Sequence, residues 1–420
     1  MNHLYDKPHR EQSSGLGTSE APALKRESTE IDFSLFYFYS DQDSAEDRYR
    51  LLIEGAKFAD RKGFEAVWTP ERHFHEFGGI YPNPSVTGAA LAMITERISI
   101  RAGSVVVPLH NPVRVSEEWA VVDNLSGGRV GISFASGWHA DDFVLSPENY
   151  ADRKGAMISG IDTVQRLWRG EVIKATNGVG KDIEVRIFPR PIQHELPTWI
   201  TCSGSPDTYE LAGRLGGHVL THLLGQSIDE LGAKIELYRE SLANNGHDPR
   251  AGRVTLMMHT FLGEDVSEVR EKVRGPFSRY LASSIGLIQK QLGNPGGSAS
   301  ATPWRRTSTV KTRSANPASG PGELTQQEKD ELVAYGFERY FETAALFGTP
   351  ESCRHMVDQL KEVGVDEIAC LVDFGVDVDS AIEGLRHIDT LKNLSNPIAA
   401  DSPPRFEMID AFNEQLETCL

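Results

Sequence analysis

The sequence predicts an α/β protein folded as a single (β/α)8 TIM barrel with insertions, over residues 30–395. Eight short apolar runs recur along the chain, and each is followed by a segment with apolar residues at helical spacing. Each connection is long enough to return the chain for parallel pairing. Polar, reactive side chains follow several of the runs, as they do at the mouth of a barrel. A doubly wound open sheet is the alternative.

The predicted strands are apolar, rich in β-branched and aromatic residues, and bounded by turn residues. The first run, IDFSLFYFY, is the most aromatic of them. In order, the strands occupy residues 31–39, 64–68, 98–107, 129–135, 198–203, 218–223, 253–262 and 367–373. A small hairpin is predicted around residues 183–187, in an otherwise irregular stretch.

The predicted helices fill the intervals between these strands. Leu52, Ala56 and Ala59 mark the buried face of the first helix, which Gly63 ends. Asn111 followed by Pro112 is a typical helix start, with a capping residue before proline. Helices are predicted at residues 44–62, 86–95, 111–126, 150–168, 205–215, 228–244, 266–292, 350–363 and 380–394.

Three segments lie outside this alternation. Residues 1–29 are predicted to be a disordered arm, and residues 396–420 a C-terminal tail. Residues 293–322 are rich in Gly, Ser, Ala, Pro and Thr, which predicts a mobile low-complexity insertion between the seventh and eighth strands. An active-site lid and a tolerated linker are both open interpretations of that insertion.

The overall composition argues against some classes of binding partner but does not identify a function. The 420 residues carry 43 basic and 60 acidic side chains, a net charge of −17, which argues against nucleic acid and anionic membranes as partners. Four scattered cysteines form no C-x-x-C pair, so neither a disulfide framework nor a zinc knuckle is indicated. The chain shows neither a signal-peptide pattern nor a membrane-length apolar run, so a cytoplasmic protein is expected.

The candidate catalytic residues follow the second predicted strand. That strand runs into the segment WTPERHFHEFGG, which contains Arg72, His73 and His75. His139 follows the fourth strand, other histidines stand at the ends of the third and sixth strands, and His259 lies late in the seventh. Because the carboxyl ends of barrel strands converge, we expect these side chains to share one cavity, where imidazoles can transfer protons.

A second group of residues is suited to binding a phosphate. Gly204 permits close backbone approach, and a helix begins directly behind it with the hydroxyls of Ser205 and Thr208. Ordinary helix capping explains the same pattern. The guanidinium of Arg153 can bind the same phosphate through two hydrogen bonds. Glycine within the third strand, at Gly103 beside Ser104, indicates either a flat ligand or tight packing.

The chain resembles the luciferase-like flavin monooxygenases. The resemblance runs from about residue 32 to residue 394, without the low-complexity insertion. It is carried by WTPERHFHEFGG, then by Asn83-Pro84, then by SVVVPLHNPVRVSEEWAVVDNLSGGR and the region of Phe143, in family order and spacing. In detail the chain is most similar to the subgroup found in natural-product biosynthesis, alone or fused to peptide-synthetase and polyketide-synthase modules.

This resemblance implies a reaction and its partners. It implies a barrel, usually a homodimer, that binds reduced FMN at the strand carboxyl ends and uses oxygen to oxygenate a substrate in the same cavity. Reduced FMN would come from a separate flavin reductase. The substrate would be a small molecule of secondary metabolism or an intermediate bound to a carrier protein. No metal is implied.

The resemblance also assigns residues, with departures. Ser205 and Thr208 match the flavin-phosphate hydroxyls and Arg153 a phosphate arginine, while Gly103-Ser104 matches a strand-three bulge, often a cis peptide, that supports the flavin ring. His73 matches the second histidine of the luciferase motif. The first, catalytic histidine is replaced by Arg72. The reactive cysteine is replaced by Ala135, and a further phosphate arginine by Ser136, which stays a candidate cofactor contact. Light emission is therefore not expected.

Two other enzyme classes remain alternatives. A deazaflavin-dependent hydride-transfer enzyme would share the fold. A metal-dependent barrel hydrolase would use His73 and His75 with His222 and Asp373 to hold zinc.

Overall fold

The fold was analysed in a computed structural model that describes residues 30–38, 48–74, 79–293 and 326–396. Apart from boundary residues, the predicted arm, insertion and tail lie outside these ranges, as does His75. The strands are β1 (Asp32–Phe36), β2 (Ala66–Thr69), β3 (Ser99–Val105), β4 (Val130–Phe134), β5 (Ile173–Thr176), β6 (Asp182–Val185), β7 (Thr198–Thr201), β8 (His218–His222), β9 (Val254–Leu262), β10 (Leu346–Gly348) and β11 (Glu367–Leu371).

Eight of these strands close into a parallel barrel. Their order around the barrel is β1-β2-β3-β4-β7-β8-β9-β11, and β11 returns to β1. The pairing of β8 with β9 completes the ring, with Val219 beside Val254. The predicted (β/α)8 TIM barrel is therefore confirmed, and the alternative of an open sheet is wrong.

The helices surround the barrel and mostly begin where the sequence supplies a cap. Asn83, Asn111 and Asp377 each accept a backbone N–H at a helix start, and Ser227 forms a capping box with Glu230. The helices are α1 (Arg50–Arg61), α2 (Pro84–Ala92), α3 (Pro112–Ser126), α4 (Arg153–Arg169), α5 (Pro206–Arg214), α6 (Ile228–Asn244), α7 (Val266–Gly293), α8 (Gln326–Thr343), α9 (Pro350–Glu362) and α10 (Val378–Ser395).

The structure corrects the prediction in several places. The first helix starts at Arg50 rather than at residue 44. The hairpin is formed by β5 and β6, so it begins about ten residues earlier than predicted. Helix α8 and the short strand β10, which pairs with the end of β9, were not predicted. The fourth predicted helix starts at Arg153 rather than at residue 150, because Asp152 caps it.

The amino end of the barrel is filled by a buried charge network. Glu367, which has no exposed surface, accepts hydrogen bonds from Arg101 (2.8 Å), Ser34 (2.6 Å) and Trp68 (3.0 Å). The Arg101 guanidinium also lies 4.6 Å from the ring of Trp199. Because this end is packed, a ligand site is expected at the carboxyl ends of the strands. Within the described ranges, every helix is too short or too polar to cross a lipid bilayer.

Candidate active site

The loop after β2 delivers three polar side chains to the barrel mouth. Glu71 and Arg72 are buried, and His73 is partly buried. The backbone N–H of Arg72 donates to the carbonyl of Tyr81 at 2.9 Å. This hydrogen bond joins the start of the loop to its end, just before α2. The next residue, Phe74, adopts a left-handed φ of 58° and is 61% exposed, a conformation uncommon outside glycine.

Glu71 is the centre of a hydrogen-bond network. Its Oε1 atom is bonded to Nε2 of His73 at 2.8 Å and to Nε2 of His110 by a very short contact. Its Oε2 atom accepts the backbone N–H of Val106 at 2.7 Å. The carboxylate therefore fixes the orientation of His73 and joins the loop after β2 to the end of β3.

The network sets the charges of its members. Burial acts to raise the pKa of Glu71, but the hydrogen bonds from His110 and His73 outweigh it and lower that pKa. For His110, burial acts in the opposite sense, yet the hydrogen bond and charge of Glu71 raise its pKa above 6.5. Between the lowered pKa of Glu71 and the raised pKa of His110, the two side chains thus form a partly buried ion pair.

Arg72 places a cation against two aromatic rings. Its guanidinium carbon lies 4.6 Å from the ring centre of Phe38 and 5.9 Å from that of Trp138. Burial lowers the pKa of Arg72, partly offset by Tyr280 and Asp142, but a guanidinium remains charged in proteins. A buried guanidinium at this position is a candidate for contact with an anionic group in the mouth.

His139 and Asp142 approach the same cluster from the loop after β4. The His139 side chain is buried, and its Nδ1 atom lies 4.0 Å from Oδ1 of Asp142. Burial raises the pKa of Asp142 to about 6, although the nearby His73 and Arg72 act to lower it. Asp142 therefore changes charge close to working pH, as a proton-transferring group should.

The end of β3 lies beneath this cluster. The Gly103–Ser104 peptide bond is cis, and the register with β4 shifts between Gly103 and Val105. The Ser104 hydroxyl contacts that of Thr201 at 2.5 Å, and Thr201 contacts Ser133 at 2.7 Å. A Cβ atom at Gly103 would lie 2.6 Å from the Phe36 ring, so core packing is enough to explain the glycine.

The phosphate-binding candidates occupy the starts of two neighbouring helices. Strands β4 and β7 are adjacent, so α4, with Arg153, and α5, with Ser205, begin on the same side of the mouth. The Ser205 side chain caps no backbone N–H of α5. A Cβ atom at Gly204 would meet no atom within 4 Å, so the space in front of the helix is open. These features fit an incoming phosphate.

The remaining candidates for cofactor binding are Thr208, Ser136 and Arg153. Thr208 lies in the first turn of α5 and is partly buried, as is Ser136 just after β4. The Arg153 guanidinium lies 5.0 Å from the ring of Tyr150 and donates to its carbonyl at 3.2 Å. The structure thus brings Arg72, His73 and His139 to the mouth, while the phosphate roles stay predictions.

The residues missing from the predicted catalytic set are Glu71, His110 and Asp142. Glu71 stands in the conspicuous charged segment and His110 at a strand end, so both had a sequence signal, whereas Asp142 had none. Among the described residues, Glu71, His73 and His110 are the one group whose donor atoms, all within 4.8 Å, can hold a metal. Their mutual hydrogen bonds explain the same grouping without one.

The ligand set of the hydrolase alternative is not assembled by the described residues. The carboxylate of Asp373 accepts the backbone N–H of Phe38 at 2.8 Å and the hydroxyl of Tyr81 at 3.2 Å. His73 is bonded to Glu71 instead. Among the described residues, His73 groups at metal-binding distance with Glu71 and His110, and not with His222 or Asp373.

Comparison with known proteins decides the family. The family model described as "Luciferase-like monooxygenase" matches residues 30–367 of the chain. The chain belongs to the luciferase-like monooxygenase family. It is 27% identical over 258 residues to the oxygenase component of the flavin-dependent trigonelline monooxygenase of Acinetobacter baylyi, covering 60% of this chain and 71% of that protein.

Two further relatives agree. The chain is 24% identical over 319 residues to the FMNH2-dependent dimethylsulfone monooxygenase of Pseudomonas putida, covering 74% of this chain and 80% of that protein. The fold matches the crystal structure of the monooxygenase RslO1 from Streptomyces bottropensis with a TM-score of 0.66 and 22% identity, over 86% of this chain and 98% of that one.

The predicted family and enzyme class are confirmed. This luciferase-like monooxygenase is an oxidoreductase of the flavin-dependent, oxygen-incorporating type. Within the family it carries Arg72, His73 and His139 at the mouth. The natural-product subgroup, the choice between FMN and deazaflavin, and the substrate are finer predictions.

Proposed function

We propose that this chain is the oxygenase component of a two-component system that takes reduced FMN from a separate flavin reductase. The observation that carries the proposal is the mouth itself. Buried Arg72 and the Glu71–His73 pair stand at one side, and the open, uncapped start of α5 at another. Such a mouth offers a phosphate anchor and proton-transferring groups together.

The residues fit the flavin that the family implies. Ser205, Thr208 and the N–H groups of α5 would hold the phosphate, together with Arg153, and Ser104 would face the ring. When bound, reduced FMN supplies the oxygen-activating chemistry. The chain supplies the rest: Arg72 orients an anionic group, and His73, held by Glu71, keeps a proton at a fixed position.

The substrate proposal follows the subgroup resemblance. We infer a small molecule of secondary metabolism, or an acyl or aminoacyl intermediate bound to a carrier protein. The test is incubation with FMN, a reductase, oxygen and candidate carrier-bound substrates, followed by intact mass spectrometry. A gain of one oxygen atom supports the proposal. A chain that does not bind reduced FMN anaerobically contradicts it.

The phosphate anchor gives a direct prediction. Removing both hydroxyls in a Ser205→Ala/Thr208→Ala variant should raise the dissociation constant of reduced FMN about tenfold, because charge-assisted hydrogen bonds to the phosphate are lost. Anaerobic fluorescence titration measures it. Riboflavin, which lacks the phosphate, is the matched control. If both flavins weaken equally, the anchor lies elsewhere.

The homodimer is proposed from the exposed apolar side chains of neighbouring α2 and α3. Val86 and Met93 are 66% and 69% exposed, and Val121 and Leu125 are 43% and 46% exposed. A Val86→Glu substitution should convert dimer to monomer at micromolar concentration, as measured by light scattering after size exclusion. Val179→Glu, at the 87% exposed turn between β5 and β6, should leave the mass unchanged. A chain that is already monomeric contradicts the proposal.

A further inference from the structure

His222 ends β8 on the inside of the barrel. The residue before it, Thr221, is hydrogen-bonded at 2.7 Å to Tyr209 of α5, so Thr221 faces the helices. Because side chains alternate along a strand, His222 faces the lumen. Strand β8 is four strands from β2 in either direction around the barrel, so His222 stands across the mouth from Arg72 and His73.

The tautomer of His222 is fixed by the backbone. The N–H of Leu224 donates to Nδ1 of His222 at 3.1 Å, so Nδ1 carries no proton. Burial and the charge of Lys234 lower the pKa of His222 to about 4, so the ring is neutral at pH 7. The single ring proton therefore lies on Nε2, which can donate a hydrogen bond but cannot accept one.

The surroundings of His222 are aromatic on the β9 side. His259 lies four residues beyond Thr255, which donates to Glu367 inside the barrel, so His259 also faces the lumen. Its ring packs at 4.5 Å from Tyr280, 4.8 Å from Phe277 and 5.8 Å from Phe374. Its Nε2 atom is buried without a hydrogen-bond partner among the described residues. A polar atom left in this way is rare in a folded core.

The two sides of the mouth therefore differ in chemistry. The β2 side holds Arg72, Glu71 and Asp142, which are ionisable and close together. The β8 and β9 side holds two neutral imidazoles among aromatic rings, with the Lys234 ammonium near His222. An ammonium group, the form that an aliphatic amine takes at pH 7, has only donors and would meet a donor where it needs an acceptor.

We propose that His222 is a substrate-binding residue that donates its Nε2–H to the oxygen of an uncharged carbonyl group, carried on an apolar or aromatic body. The inference rests on the proposed function, since both place the substrate in this mouth. It narrows the substrate to carbonyl compounds, such as ketones, esters or thioesters, and disfavours free amines at this position.

Three compounds with one carbon skeleton test the proposal: acetophenone, α-methylbenzylamine and ethylbenzene. The full-length chain, labelled with ¹⁵N-histidine, is titrated with each and followed by NMR. Acetophenone should bind, shift the His222 Nε2 resonance, and bind about tenfold more weakly to a His222→Phe variant, because one buried hydrogen bond is lost. Ethylbenzene should bind both proteins equally, and the amine should bind more weakly than acetophenone.

Two further variants separate recognition from folding. His222→Gln keeps a donor near the Nε2 position and should retain acetophenone binding. His218→Gln is the matched control, because His218 faces the closed end of the same strand, accepts the N–H of Arg253 at 3.2 Å and packs against Trp199. It should leave acetophenone affinity unchanged. If His222→Phe does not fold, His222→Met replaces it.

The outcomes are distinct from those of the flavin experiment. Equal acetophenone affinity in wild type and His222→Phe, absence of acetophenone binding, or tighter binding of the amine would overturn the proposal. Reduced FMN is titrated into the same samples. If FMN does not bind while acetophenone behaves as expected, the oxygenase proposal fails and the carbonyl site stands.

Discussion

An Arg72→Ala variant is expected to lose about 100-fold or more in turnover, while its affinity for reduced FMN changes less than about threefold. The guanidinium lies buried between Phe38 and Trp138 on the side of the mouth that holds Asp142. A cation shielded from water stabilises developing negative charge more strongly than one in solvent. The phosphate-binding candidates belong to other loops, so flavin affinity should not depend on Arg72.

Steady-state oxygenation and anaerobic flavin titration measure the two quantities separately. Arg72→Lys keeps the charge but loses the planar fork and its stacking on Phe38, so it should recover only part of the turnover. Circular dichroism controls for folding, because Arg72 also fills space in the loop. A full-rate Arg72→Ala enzyme would remove this residue from the chemistry, and a large loss of FMN affinity would assign it to the cofactor.

The fold was largely predictable because its signals are local. Each barrel strand is an apolar run with turn residues at its ends, and most helix starts carry a capping side chain. Strand β10 has three residues, too few to produce a pattern. Helix α8 has a readable apolar face, with Val333, Phe337, Tyr340 and Phe341 at helical spacing. The prediction assumed that strands and helices alternate. Helix α8 does not fit that assumption, because it follows α7 directly and only the short strand β10 comes after it.

The site was predictable only in part. Arg72, His73 and His139 could be placed at the mouth because strand ends converge there. The hydrogen bonds of Glu71 to both His73 and His110 depend on the distance between two loops, which a sequence pattern does not contain. The same holds for the tautomer of His222, which is set by a backbone N–H two residues away. The convergence of strand ends predicts which side chains lie near one another, but not which of their atoms form hydrogen bonds.

A Glu71→Gln substitution is expected to destabilise the protein by about 3 kcal/mol, because it leaves buried partners without their ion. Glu71 is almost fully buried and holds His73, His110 and the N–H of Val106. The amide of glutamine has the same shape, but it cannot pair with a protonated His110. The loss should therefore depend on pH, since both members of the pair titrate.

The sign of that dependence follows from the two pKa shifts. The pKa of Glu71 is lowered from 4.5, so its contribution is complete above pH 4.5 and is lost as the pH falls through the lowered value. The pKa of His110 is raised from 6.5, so its contribution is complete below pH 6.5 and is lost as the pH rises through the raised value. The difference in unfolding free energy between wild type and Glu71→Gln should be largest between these two values.

Urea unfolding at several pH values measures this difference directly. Glu117→Gln is the control, since the Glu117 side chain is 41% exposed and lies 4.0 Å from Arg114, so its removal should change stability by less than about 0.5 kcal/mol at any pH. In the Glu71→Gln variant the pKa of His110, followed by NMR, should fall because its charged partner is gone. A stability loss that is the same at alkaline pH as between pH 4.5 and 6.5 would mean that Glu71 acts through packing and neutral hydrogen bonds, and that His110 is not its cationic partner.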